Sequence, residues 1–133
     1  MSAVVADTHA AIWLLMDEER LSKAAREAFA AAFVAEAPVY VSAVSLVELV
    51  YLIERKRLPE EVWQRVYNAL VDPRTALEIV PIDAALAQSI HGIPVTQVPE
   101  MPDRIIAATA LMLDLPLVTR DRRITASPVR TVW

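Results

Sequence analysis

No cysteine occurs in these 133 residues, and glycine occurs once. Without thiols the chain has no disulfide frame, no thiolate metal site and no cysteine nucleophile. One glycine cannot build the loop that cradles nucleotide phosphates. Long apolar runs are missing as well. The most apolar region, residues 28–53, is broken by Glu36, Pro38 and Glu48, well short of the roughly 20 residues that a membrane-spanning helix needs. The opening "MSAVVAD" carries no basic stretch and meets Asp7 too early for a secretory signal. A cytoplasmic protein without a membrane partner is therefore expected. There is no basic excess either: 13 Lys plus Arg stand against 17 Asp plus Glu, a net charge of −4. That excludes a surface coated in positive charge for nucleic acid.

What is present is apolar. Hydrophobic residues make up 56% of the chain and mean hydropathy is +0.37, which excludes disorder and fits one domain spanning residues 1–133. So apolar a small domain is also expected to hide surface against a partner or a second copy of itself.

Hydrophobic periodicity gives alternating elements. Residues 3–6, all Ala and Val, read as a buried strand. A helix over 8–16 carries Ile12, Trp13, Leu15 and Met16, and another over 22–36 starts at the N-cap Ser22 and ends before Pro38. "VYVS" (39–42) is the second strand, followed by helices over 45–56 and 60–71. "LEIVPI" (77–82) is the third strand, and 83–90 a short helix. "DRIIAATALMLD" then forms a nearly all-apolar helix that feeds the fourth strand, "LPLVT" (115–119), and "VRTVW" is an edge strand. Short apolar strands alternating with helices specify an α/β fold with a parallel sheet covered on both sides. In such sheets the site lies at the carboxyl edge of the strands.

Three acids are expected at that edge, and a fourth, Asp103, joins them if its helix starts there. Asp7 follows the first strand, Glu48 lies one turn into the helix after the second, Asp103 opens the buried helix, and Asp121 follows the fourth strand. Each has a bland explanation. Asp7 suits an N-cap, Ser45-Leu46-Val47-Glu48 matches a capping box, Asp103 beside Pro102 suits a first helical turn, and Asp121 suits a turn. As a group they are costly, because like charges a few Å apart repel unless something neutralises them. Hard divalent cations do this well, and carboxylate oxygens are their preferred ligands. Neither His9 nor His91 has a metal-ligand partner at usable spacing, and both read as surface or helix-end residues. An all-oxygen set implies Mg²⁺ or Mn²⁺ rather than Zn²⁺, and such ions activate water against a phosphodiester. Arg104, Arg120, Arg122 and Arg123 beside two of the acids suit phosphate, or pair with the acids themselves. Thr8, Ser45 and Thr119 are placed to orient the carboxylates.

The ordered set "VVADTHAAIW", "SAVSLVELV", "PDRIIAATA" and "PLVTRDRRI" resembles the PIN-domain family, and within it the VapC-type toxins of VapBC toxin–antitoxin pairs. The resemblance spans nearly the whole chain. It implies a three-layer α/β/α fold, Mg²⁺- or Mn²⁺-dependent cleavage of RNA, homodimerisation, and inhibition by a VapB-type antitoxin whose tail enters the groove. By position Asp7, Glu48, Asp103 and Asp121 match the family's acidic quartet, and Thr119 the hydroxyl before the last acid. Glu100 stands near where relatives carry a further acid. "ERKRL" lacks the glycine that relatives tend to have there.

Two other readings compete. A receiver-like phosphoacceptor needs paired acids after the first strand and a lysine after the last, whereas Asp7 has no acidic neighbour and the only lysines are Lys23 and Lys56. A non-catalytic interaction module would use the acids only as helix caps, with Trp13 and Trp63 serving either partner binding or the core.

Overall fold

The computed structural model describes residues 2–133. Five strands, β1 (Val4–Ala6), β2 (Val39–Ser42), β3 (Leu77–Val80), β4 (Leu117–Val118) and β5 (Thr131–Val132), form one sheet in the order β3-β2-β1-β4-β5. Every pairing is parallel. Around them lie α1 (Thr8–Met16), α2 (Lys23–Val34), α3 (Ala43–Glu54), α4 (Glu60–Val71), α5 (Ala84–Ser89), α6 (Met101–Leu113) and α7 (Arg122–Thr125). The order reverses direction beside β1, which puts a crevice at the carboxyl ends of β1 and β4, where ligands bind in open α/β sheets.

The layering follows from the strand period of two. In β1, Val4 and Ala6 join one apolar cluster with Trp13, Phe29 and Val66, while Val5 joins the other with Leu86, Ile106 and Ile124. The sheet is thus buried on both faces, with α1, α2 and α4 on one side and α5 and α6 on the other. α6 is buried at six consecutive positions, Ile105 to Ala110. Three of those six are alanine, so its backbone lies close against its neighbours, and its buried hydroxyl, Thr109, donates to the Ile105 carbonyl at 2.8 Å. Among the described residues no helix is long and apolar enough to cross a membrane.

The third and fourth strands are shorter than read, Leu77–Val80 and Leu117–Val118, and the third helix moves at both ends. The third helix starts at Ala43, not Ser45, because the Ser42 hydroxyl accepts the Val44 N–H at 3.2 Å and caps it. It stops at Glu54, where Lys56 takes a left-handed conformation (φ 58°). There the Lys56 N–H donates to Ile53 and the Arg57 N–H to Leu52, both at 2.9 Å, a helix stop that favours glycine. The departure noted in "ERKRL" therefore falls on a position where a Cβ is strained. The short helix α7 was not expected from periodicity; four residues are too few to carry one.

Lys56→Gly is expected to stabilise the protein by roughly 1 kcal/mol, read as a shift of the urea midpoint at unchanged slope.

Candidate active site

Asp7, Glu48, Asp103 and Asp121 line one cleft of about 340 Å³, together with Thr8, His9, Trp13, Ile106, Arg120, Arg123 and Trp133. Four separate elements deliver the acids. Asp7 follows β1 and caps α1, Glu48 sits in the second turn of α3, Asp103 in the first turn of α6, and Asp121 caps α7.

Two hydroxyl relays fix the carboxylates. Asp7 Oδ1 accepts the Ala10 N–H at 2.9 Å, and Oδ2 accepts the Thr119 hydroxyl. Thr119 Oγ1 in turn accepts the Asp121 N–H at 3.1 Å, tying the acid after β1 to the acid after β4. The Thr8 hydroxyl donates to Glu48 Oε1 at 2.5 Å. A hydroxyl has one proton, so Thr8 must accept from Ser45 across the 2.9 Å between them. Ser45, Thr8 and Glu48 therefore form a chain with one direction. Ser45 and Thr8 are both buried and Thr119 is 1% exposed, so the hydroxyl ends of these bonds are shielded from water while the carboxylates reach the cleft.

The charges are held under tension. Burial pushes the Asp7 carboxyl up, against the hydrogen bonds from Thr119 and Ala10 that favour its ionised form. Asp103 is pushed up to about 6, by burial first and then by the negative charges of Asp121 and Glu48, with Arg123 opposing. Arg123 reaches Asp103 and Asp121 at 3.6 Å each and Glu100 at 3.8 Å, so it is the counter-charge inside the acidic set. The four acids present oxygen donors only, the set that hard divalent cations take. Among the described residues, however, no three His, Cys, Asp or Glu side chains already form a metal cage.

The bland explanations hold at three positions. Asp7 is an N-cap, and so is Asp121, whose Oδ1 accepts the Arg123 N–H at 2.9 Å. The capping-box assignment fails: Ser45 lies inside α3, and Glu48 is bonded to Thr8 rather than to the Ser45 N–H. Asp103 makes no capping bond, but it does stand in the first turn of α6 beside Pro102, where the helix dipole favours an acid. Capping thus accounts for half of the quartet.

Three expected side chains lie elsewhere. Arg104 does not line the cleft, because its guanidinium donates to the Ile93 carbonyl at 2.9 Å and the Ile90 carbonyl at 3.2 Å, where it braces the loop before α6. Arg122 is exposed and does not line the cleft. Glu100 stays at the rim, paired with Arg123. Arg120 is at the cleft, its guanidinium 4.7 Å from the centre of the Trp13 ring. His9 and Trp133 also line the cleft, and the sequence reading missed both. The signal for His9 was its spacing of four from Trp13 on a helix. For Trp133 it lay in strand pairing: the Thr119 N–H donates to the Val132 carbonyl at 3.1 Å, which sets Trp133 beside the β4 exit.

Comparison with known proteins agrees with this architecture. Residues 4–128 match the profile of the PIN domain. Ribonuclease VapC22 of Mycobacterium tuberculosis is 32% identical over the full length of both chains. A chain of VapBC2 from Rickettsia felis, bound to a DNA fragment from its promoter, superposes with a TM-score of 0.70 at 16% identity, covering 97% of this chain and 96% of that one. A chain of a Klebsiella pneumoniae toxin–antitoxin complex gives 0.64 at 24% identity, covering 98% and 96%.

The raised Asp103 has a consequence for stability. Between pH 3.8, its ordinary value, and about 6, the folded protein holds a proton that the unfolded chain has lost. Stability therefore falls as pH rises through that window and levels off above it. In chelator, Asp103→Asn is expected to flatten this slope and raise the thermal midpoint at pH 7.5 by about 4 °C.

Proposed function

This chain belongs to the PIN-domain family, and on that premise we propose that it is a Mg²⁺- or Mn²⁺-dependent endoribonuclease, the toxin half of a toxin–antitoxin pair. The observation that carries the reading is the quartet itself: four carboxylates from four elements face one cleft, each held by a neighbouring hydroxyl, N–H or guanidinium. An architectural protein gains nothing from such repulsion, and a receiver-like site would want a lysine, which this cleft lacks. The full-length likeness to a protein named as a ribonuclease supports the same choice.

Asp7, Glu48, Asp103 and Asp121 would hold the ion or ions. When bound, they supply activation of water and relief of negative charge at the reacting phosphate. The chain's own residues do the positioning. Thr119 and the Ala10 N–H fix both oxygens of Asp7, so it meets a ligand without reorganising. The Ser45–Thr8 chain does the same for Glu48. Arg120, held over Trp13, offers a guanidinium to the phosphodiester backbone. Hydrolysis adds water to phosphorus and breaks the bond to the 3′ oxygen, leaving 5′-phosphate and 3′-hydroxyl ends. A cognate antitoxin and a second copy are the proposed partners. Exposed Val47, Tyr51 and Tyr67 on α3 and α4 supply apolar surface for them.

Asp7→Asn tests the reading cleanly. Asparagine caps helices as well as aspartate does, so the fold should hold, with the melting midpoint moving by a few degrees at most. Wild-type protein is expected to cut RNA in Mg²⁺, to stop in EDTA, and to leave the stated ends. The variant should cut no faster than background, and a fully active Asp7→Asn protein would remove the quartet from the chemistry.

A further inference from the structure

One wall of the acidic cleft is aromatic. His9 and Trp133 both line it, and each makes a tilted contact with Trp13: centroids 5.5 Å apart at 52° for His9, and 5.9 Å at 53° for Trp133. Tilted contacts use a ring edge and leave faces uncovered. His9 is exposed and Trp133 is 37% exposed, whereas Trp13 is buried at 7%. Trp13 is therefore the support, with Arg20 at 5.4 Å and Arg120 at 4.7 Å from its ring centre. His9 and Trp133 are the free surfaces. Backbone geometry fixes both. His9 is in the first turn of α1, two residues after the capping Asp7, and Trp133 follows the residue of β5 that pairs with Val118 of β4. Flat π-faces thus stand beside a guanidinium and four carboxylates in a cleft of about 340 Å³, room for a nucleotide unit and not for a duplex.

We propose that His9 and Trp133 form a stacking wall for one unpaired nucleobase next to the scissile phosphate, which makes them substrate-binding residues. This rests on the ribonuclease reading. An apolar peptide side chain would gain nothing from the flanking guanidinium, whereas a nucleotide uses a π-face and an adjacent cation together. Stacking is tolerant of base identity, so the wall selects for an unstacked base rather than for a sequence.

The test uses the intact protein and an oligoribonucleotide that it cuts. Trp133→Ala and His9→Ala should each raise KM about tenfold, the loss of one base–aromatic contact, with kcat within twofold; Trp133→Phe should recover most of the loss. Mn²⁺ affinity should stay at the wild-type value in all three. Because Trp133→Ala also loses a contact with Trp13, a second arm leaves the protein untouched: an abasic nucleotide beside the cut bond should raise the wild-type KM by a similar factor. Wild-type KM in both alanine variants, or no penalty for the abasic substrate, overturns the wall while leaving the nuclease standing. If wild-type protein cuts no RNA, the activity reading fails. The wall is then decided by indole fluorescence, which single-stranded oligonucleotide should quench in wild type and quench less in Trp133→Phe; equal quenching in the two overturns it.

Discussion

Mutual repulsion among four carboxylates is the constraint around which the cleft is organised. Asp103 feels both Asp121 and Glu48, and Arg123 is the cation set against them. Bringing such charges together costs stability, and proteins bear that cost where chemistry needs it. Two of the acids are stiffened by a hydroxyl from another element: Asp7 by Thr119 of the β4 exit, and Glu48 by Thr8 of α1. The relays act across 40 and 112 residues of sequence, so the site exists only when the sheet is complete.

The rest of the fold serves that convergence. β1 is central and buried on both faces, so the residue that follows it emerges in the middle of the carboxyl edge. Alanines on α6 let that helix lie close to its neighbours and carry Asp103 to the same edge. Pairing of β5 with β4 adds Trp133 beside Thr119. No long catalytic loop is needed, because strand exits and the first two turns of helices supply every acid.

Much of this was legible from residue order. The unbroken apolar run "VVA" and the nearly all-apolar "IIAATA" announced the parallel sheet and the central helix, and the acids after strands marked the edge. What could not be read was direction within an element. Arg104 follows Asp103 by one residue, and one step on a helix turns a side chain by about 100°, which is why it braces carbonyls of the loop rather than facing the cleft. Ser45 looked like a cap because Ser-x-x-Glu is a strong local signal; Ser42, three residues earlier, had the better geometry. Trp133 depends on long-range strand pairing, which no local pattern contains, whereas Arg123 pairs with the acids as one of its two readings had it.

The central claim, that these oxygens tolerate one another because a divalent cation joins them, is tested most directly by calorimetric titration of Mn²⁺ into the metal-free protein. Saturable heat is expected, with a heat that varies with buffer near pH 6 as Asp103 releases its proton, and the signal should be lost when Asp7 and Asp103 are both made Asn. Absence of specific heat together with an unchanged melting temperature in Mn²⁺ would contradict the account and leave the acids as helix caps and surface charge.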